Sequence, residues 1–454
     1  MRRGGASTSD VVILGGGSGG YACAFRAAQL GLSVTLIEKD KVGGTCLHRG
    51  CIPTKALLHS AEVADTARES ASVGVRTTFD GIDMAGVHSY KDGVVAKLYR
   101  GLQGLVAAHE IDMISGAGAY VGDHTVDVDG RRFVGNSVVL ATGSHAKVLD
   151  GIELGPRVLT SDRALTLDTV PTRVIVLGGG VIGVEFASVW ASFGSNVTIV
   201  EALPRLIAGE DEWASKQLTR AFRKRGITAR TSSPFTGVKE TPDGVTVTLE
   251  SGETLDADVL LVAVGRGPNT SDLGEVTVDS GFVRVDSTLQ TSEEGVYAVG
   301  DIVRGPQLAH RGFQHGIFVA EQIAGMAPKA VPDSNIPRVT YSNPEVASVG
   351  LTEAQATEEH GSADATVYDL AGNGKSQILG ASGGVKLVRS GGTVVGIHMV
   401  GARVGELIGE AQLVVNWGAY PEEVAHLVHA HPTQSEAFGE AHLALAGKPL
   451  HAHP

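Results

Sequence analysis

Short apolar runs that lead directly into glycines punctuate this chain. Val11-Val12-Ile13-Leu14 runs into Gly15-Gly16-Gly17-Ser18-Gly19-Gly20 and then a helical stretch, Tyr21 to Leu30. The pattern recurs 163 residues later, where Val174-Ile175-Val176-Leu177 runs into Gly178-Gly179-Gly180-Val181-Ile182-Gly183 and then Val184 to Phe193. Apolar runs without polar alternation predict strands of a parallel sheet, buried on both faces. Each repeat is followed by another apolar strand ending in an acid, Val34 to Glu38 and Val197 to Glu201, the acid lying 23 residues after the first glycine both times. Each closes on one more apolar strand, Val138 to Gly143 and Val259 to Val264, the second entering Gly265-Arg266-Gly267-Pro268. Between the repeats the pattern predicts a helix over Tyr90 to His109 and a β-rich return over Gly118 to Val128. After about residue 335 it turns antiparallel, with strands Val385 to Val388 and Val394 to Val400 around a Ser390-Gly391-Gly392 turn. Helices over Gly405 to Trp417 and Pro421 to Leu427 complete a separate α+β region.

A strand, a G-x-G-x-x-G turn, a helix and an acid about twenty residues on form the dinucleotide-binding pattern, and here it is complete twice. Gly15 and Gly178 permit the tight turn, Gly17 and Gly180 let backbone amides approach a pyrophosphate, and Gly20 and Gly183 let helix pack on strand. Glu38 and Glu201 can accept from ribose hydroxyls. A carboxylate at Glu201 repels a 2'-phosphate, so the second nucleotide is expected to be NAD; Arg205, nearby, reads as a surface residue. The expected fold is α/β: two Rossmann-like domains and a C-terminal α+β domain, divided as 1–150 and 271–335 for the first nucleotide, 151–270 for the second, and 336–454.

Composition narrows the class. Among 454 residues there are 61 glycines but only 16 prolines, with 43% hydrophobic residues, which excludes a collagen-like or disordered chain. A formal charge of −13 disfavours nucleic acid as a partner. The longest apolar stretch, Val174 to Gly194, is broken by three glycines and Glu185, so no membrane span is expected. Met1-Arg2-Arg3 leads into no secretory apolar segment, and the chain reads as cytoplasmic. No cluster of residues suggests a metal.

The three cysteines cannot form a secreted framework. Cys46 and Cys51 sit in Cys46-Leu47-His48-Arg49-Gly50-Cys51-Ile52-Pro53-Thr54-Lys55, and a link between them would constrain little of the unfolded chain, so its use would be chemical. In a regular helix residues five apart have Cα atoms about 8.6 Å apart, too far for a bridge. A bridge therefore needs a distorted helix, for which Pro53 is the expected cause; two reduced, buried thiols are the plain alternative. Cys23 reads as packing.

With these cysteines, the chain resembles the pyridine nucleotide-disulfide oxidoreductases, most of all their dihydrolipoamide-oxidising branch. The resemblance rests on Gly43-Gly44-Thr45-Cys46 through Lys55, on Thr291 to Asp301, on Gln307-Leu308-Ala309-His310 and on His429-Ala430-His431-Pro432-Thr433-Gln434-Ser435-Glu436. It implies FAD and NAD as cofactors and a Cys46–Cys51 redox disulfide, Cys46 exchanging with substrate and Cys51 facing the flavin. It further implies that Lys55 lies near the flavin and pairs with Glu185, and that the FAD site takes Glu38 to Cys46 (Lys39, Gly44 and Thr45 included), Gly118, Thr142, Gly143, Ser144, Asp301 and the 307–310 segment. Gly265 falls to NAD. His431 and Glu436 are the implied acid–base pair, serving the partner subunit's disulfide in a homodimer. Electrons would pass from dihydrolipoamide to the disulfide, to FAD and to NAD, with lipoyl domains of 2-oxoacid dehydrogenase or glycine cleavage complexes as partners. His48 departs from the asparagine common in the family, which puts the disulfide potential in question. Reduction of another small disulfide, transhydrogenation, and a scaffold role with dormant chemistry are the competing readings.

The histidine site also follows from chemistry, because a dithiol must lose protons to attack a disulfide, and a histidine oriented by a carboxylate is a suitable base. The competing reading is a capping box, with Thr433 capping a helix and Glu436 returning the bond.

Overall fold

The computed structural model of the protein describes residues 7–452. The chain forms two compact units of three segments each: up to residue 56, 85–147 and 265–331 in the first; 57–84, 148–264 and 332 onward in the second.

Among the described residues, the first unit holds a seven-stranded sheet. Ser7–Leu14 lies between Val34–Glu38 and Arg131–Leu140, all parallel, with Asp112–Ser115 beyond the first neighbour and Val296–Ala298 beside the second. Gly118–Tyr120 and Thr125–Val128 extend Arg131–Leu140 as an antiparallel meander. Val11, Val12 and Ile13 are wholly buried, as a strand covered on both faces requires. The Ser18–Gln29 helix packs on Ala309–Ile323 through glycines: a Cβ on Gly316 would lie 2.2 Å from the Gly19 carbonyl oxygen. Cys23 is wholly buried in this layer, and burial pushes its thiol up to about 12.

The second unit contains a five-stranded parallel sheet in the order Thr228–Arg230, Asn196–Val200, Arg173–Leu177, Val259–Val262, Val158–Thr160. A three-stranded antiparallel sheet over Phe235–Thr241, Gly244–Leu249 and Thr254–Ala257 is inserted before Val259–Val262, its last strand in chain order. Its other sheet is five-stranded and antiparallel, with Gly384–Ser390 and Thr393–Gly401 at its heart, and Gly391 and Gly392 both take positive φ in their turn. Helices Val404–Trp417 and Glu436–Leu445 cover this sheet, burying Ile397, Met399, Ala411, Phe438 and Ala441. Ion pairs line this sheet: buried Lys386 meets buried Asp211 at 2.9 Å and the exposed Glu353 at 2.7 Å, and Arg338 meets buried Glu210 at 3.0 Å.

This is the expected α/β class, with two nucleotide-type parallel sheets and a C-terminal α+β region. Boundaries shift where the local signal is weak. The helix expected over Tyr90 to His109 spans Met84–Ala108, entered behind Asp83, a residue type that favours helix starts. Pro421 to Leu427 narrows to Pro421–Ala425.

Candidate active site and nucleotide sites

The first glycine turn is set by contacts that exclude side chains. Gly15 has φ +107°, and a Cβ there would lie 2.2 Å from the Ala141 carbonyl oxygen; one on Gly20 would lie 1.8 Å from that of Gly15. Gly17 starts the Ser18–Gln29 helix without a side-chain cap, leaving first-turn amides for an anionic ligand. Glu38 takes the Gly16 amide on one oxygen at 2.7 Å and the Asp40 amide on the other at 2.8 Å, retaining lone pairs for a ribose. A glycine cradle at a helix N-terminus with a flanking acid fits the diphosphate and ribose of FAD. Around it, Ser144 Oγ donates to Asp301 Oδ2 at 2.5 Å and accepts from Arg266 Nε at 2.7 Å, while the Asn269 amide donates to the Thr142 carbonyl at 2.9 Å. Gly143 has φ +73°. Gln307 donates to the Asp301 carbonyl at 3.4 Å, Leu308 caps the Ala309–Ile323 helix, and His310 is exposed in its first turn. Lys39 is exposed and Thr45 half-buried. Gly118 has a packing reason of its own, since a Cβ there would crowd Leu14, Val126 and Ile37.

In the second unit the same construction recurs at Gly178, Gly180 and Gly183, and Glu201 takes the Gly179 amide at 2.6 Å and the Leu203 amide at 2.7 Å. Arg205 donates to the Glu210 and Ala208 carbonyls, each at 2.7 Å, so its guanidinium is committed to its own loop. This donor set fits a free ribose 2'-hydroxyl, hence NAD. Glu185, buried in the Val181–Phe193 helix, accepts from the Tyr341 amide at 2.9 Å. Gly265, with φ +105°, opens the last segment of the first unit, where its carbonyl accepts from Lys147.

The cysteine pair spans a helix break. Cys46 lies in the Gly44–Arg49 helix and Cys51 begins the Cys51–Glu69 helix. The break is at Gly50 (φ −138°, ψ −110°), which corrects the expectation that Pro53 distorts a continuous helix. The Thr54 amide bonds to the Gly50 carbonyl, so Pro53 sits in a fresh first turn, where its missing amide is not needed. A Cβ on Gly50 would approach the Thr45 carbonyl oxygen to 3.0 Å, so the small residue lets the two helices fold together. The two cysteine side chains lie within hydrogen-bonding reach of each other. That contact, with burial and the Cys51 charge, pushes the Cys46 thiol up, while Lys55 pulls it down. His48 contacts the Val42 carbonyl through Nε2 at 3.0 Å and meets the Tyr99 ring edge-on.

His431 Nδ1 and Glu436 Oε1 lie 2.7 Å apart, with the imidazole largely exposed. The other Glu436 oxygen accepts from the Thr433 amide at 2.7 Å. Half of the expected capping box is therefore present. The other half is not, because Thr433 Oγ1 donates to the Ala430 carbonyl and Ser435 stands at the helix start. Slight burial raises the Glu436 carboxyl, but the Thr433 amide and His431 outweigh it and leave the pKa lowered.

The pyridine nucleotide-disulphide oxidoreductase family matches residues 9–316, and its dimerisation domain matches residues 336–442. The chain belongs to the pyridine nucleotide-disulphide oxidoreductases. Relatives in this family include dihydrolipoyl dehydrogenase of Bacillus subtilis, 40% identical over 98% of this chain and 100% of its own length. The mitochondrial dihydrolipoyl dehydrogenase of Pisum sativum is 38% identical, over 98% and 93%. Among solved structures, LpdA of Mycobacterium tuberculosis aligns with TM-score 0.89 at 26% identity, covering 97% of this chain and all of that one. The HOCl-induced flavoprotein disulfide reductase RclA of Escherichia coli aligns at 0.86 and 27%, covering 95% and 99%. Like other members of the family, the chain uses FAD and NAD, and its dimerisation domain supports a homodimer. No helix among the described residues is long and apolar enough to cross a membrane.

For this member of the family, sequence reasoning overlooked two residues. Tyr21, on the helix after the first glycine turn, is half-buried, and its phenol is pushed up to about 12 by burial and by the charges of Cys46 and Cys51. Arg311 is buried and donates to the Arg304 carbonyl at 2.6 Å and to that of Val303 at 3.3 Å, bracing the loop that carries Asp301.

Proposed function

We propose that the chain oxidises dihydrolipoamide with NAD. The observation that carries this reading is the contacting Cys46–Cys51 pair, in a chain that aligns end to end with dihydrolipoyl dehydrogenases. One substrate thiolate attacks Cys46 Sγ in the disulfide form, breaking the Cys46–Cys51 bond and leaving Cys51 as thiolate. The second substrate thiol gives its proton to His431 and attacks the mixed disulfide, releasing oxidised lipoamide and the Cys46 thiolate, which takes up a proton. The substrate loses two electrons and two protons; NAD gains a hydride, and one proton goes to solvent. FAD, when bound, supplies the two-electron carrier between the cysteines and NAD. Glu436 orients His431 through Nδ1, so that Nε2 faces the partner subunit's disulfide. Lys55 lies beside the flavin, and the glycine, acid and 307–310 residues named above hold the nucleotides.

Within this reading residues 1–150 and 271–335 form the FAD domain, 151–270 the NAD domain and 336–454 the interface domain. Lipoyl domains of 2-oxoacid dehydrogenase or glycine cleavage complexes are the partners that carry such a dithiol. A cytoplasmic setting suits a couple that must cycle between thiol and disulfide. Purified enzyme should reduce NAD with dihydrolipoamide, and His431→Gln should cost about 10²- to 10⁴-fold in that rate while keeping its flavin. Preference for NADPH with another small disulfide would overturn the reading in favour of a reductase such as RclA.

A further inference from the structure

Four polar residues form one row across the five-stranded antiparallel sheet. Arg338 stands opposite Ser348, Ser348 opposite His398 and His398 opposite Lys386, and residues in such register share a face. Ser348 and His398 are wholly buried and Lys386 nearly so. The row carries a cation at each end, and both cations meet acids of one dipeptide. Arg338 Nε lies 3.0 Å from Glu210 Oε1, and Ser348 Oγ donates to the same carboxylate. Lys386 Nζ lies 2.9 and 3.1 Å from the two Asp211 oxygens, which also accept the Trp213 and Glu353 amides. His398, between them, adds no further cation, because burial disfavours its charged form; its Nε2 lies 3.0 Å from the Leu351 carbonyl.

The dipeptide ends the loop that returns from Glu201 to the second glycine turn. Glu201 takes the Leu203 amide, and further on Ile207 donates its amide to the Gly179 carbonyl at 2.7 Å. Leu206 occupies the side-chain position at Gly179, where a Cβ would lie 2.6 Å from Leu206 Cδ2. Arg205 thus sits between residues fastened to the turn or to its acid, and its guanidinium bonds to the Ala208 and Glu210 carbonyls. The curl this requires is strained: Ile207 is β-branched, buried and at φ +42°, a conformation that persists only where the surroundings impose it. The Glu210 amide closes the curl on the Ile207 carbonyl at 2.8 Å, so the residue gripped by Arg338 also shapes the loop.

We propose that this row of the antiparallel sheet is a positioning device for nucleotide choice: by gripping Glu210 and Asp211 it holds the loop in the curl that keeps Arg205 on its own carbonyls and away from a 2'-phosphate. The inference rests on the reading of the second turn as the NAD site. An arginine close behind the ribose-binding acid is the group that accommodates a 2'-phosphate in this kind of fold, so a free Arg205 would favour NADP. Removing either cation of the row leaves a buried carboxylate without its partner, and the loop opens to hydrate it. The strain at Ile207 drives the same opening.

The test is dihydrolipoamide oxidation by the flavin-loaded dimer with NAD and with NADP. In a Glu201→Gln background, where no carboxylate repels the phosphate, adding Arg338→Met should raise kcat/KM for NADP relative to NAD by at least about tenfold. Adding Arg205→Gln as well should remove the gain, and Lys386→Met in place of Arg338→Met should reproduce it. Arg338→Met alone should raise KM for NAD severalfold with kcat unchanged. Its flavin-to-protein ratio, and anaerobic reduction of its flavin by dihydrolipoamide, which needs no nicotinamide, should stay as they are. A ratio that does not move with either cation removed, or a gain that survives the loss of Arg205, overturns the proposal. Slowed flavin reduction by dihydrolipoamide overturns it too, because the row then serves the fold in general. Should Arg338→Met fail to fold, Lys386→Met decides alone. Glu201→Gln by itself distinguishes the underlying reading: if its KM for NAD is unchanged, the second turn is not the NAD site, and both fall.

Discussion

The two glycine turns solve one problem with nearly the same atoms and then part. Gly15 and Gly178 have φ of +107° and +110°, and the acid takes the middle glycine's amide at 2.7 Å in one turn and 2.6 Å in the other. The middle glycine's carbonyl accepts in both cases from the loop after the second strand, from Gly43 at 2.8 Å and from Ile207 at 2.7 Å. At the third glycine they differ. In the first turn that loop reaches the third glycine, so that a Cβ on Gly44 would lie 2.7 Å from Gly17 Cα, although a Cβ on Gly17 itself would meet only Gly44 Cα, at 4.0 Å, and the chain continues into the Cys46 helix. In the second turn Arg205 ties the loop to its own carbonyls, and a Cβ on Gly180 meets nothing within 4 Å. On the proposed assignment, one turn is fenced by the protein and retains FAD, while the other stays open for NAD to come and go.

The largest effect should come from the tightest contacts. Gly20→Ala places a Cβ 1.8 Å from a carbonyl oxygen and should leave the purified protein with at least about tenfold less flavin, read from its visible absorbance. Gly183→Ala, at 2.0 Å in the second turn, should keep its flavin and lose NAD reduction instead. Equal flavin loss in both would end the distinction. Next in size, Glu201→Gln turns one of two oxygens that each accept a backbone amide into an NH2 facing that amide, so KM for NAD should rise about tenfold. NADPH turnover should not appear in its place, because Arg205 is still engaged. The smallest change in stability belongs to Gly180→Ala, whose melting temperature should stay within the range of about 0.5 kcal/mol while KM for NAD rises severalfold. A lowered melting temperature would mean that the open space at Gly180 is not reserved for a ligand.

What could be read from sequence was whatever the chain encodes within a few residues. The strand, glycine turn and acid are such features, since positive φ at Gly15 and continuous burial at Val11 to Leu14 both leave a local mark. The pairing of His431 with Glu436 was legible for the same reason, being five residues apart. The break at Gly50 was assigned to Pro53 because a proline is the louder signal, whereas a glycine's role depends on what its missing Cβ would strike, here the Thr45 carbonyl. Partners distant in sequence were silent: Arg205 on the Ala208 and Glu210 carbonyls gave no pattern, and neither did Glu410, 19 residues before His429. The same holds for Lys386 with Asp211, joined across 175 residues by burial alone.

Glu436 has consequences for how such a protein drifts over generations. One oxygen secures the amide of Thr433 before a helix whose Ala437, Phe438 and Ala441 are wholly buried, and the other faces His431. A lineage that stopped needing the reaction would still be culled for losing this carboxylate, because the helix would fray and the chain would fold less well. On the proposed assignment, purifying selection on foldedness would thus preserve half of the proton-transfer apparatus at no separate expense, and an idle copy of the gene would need to recover little to resume turnover.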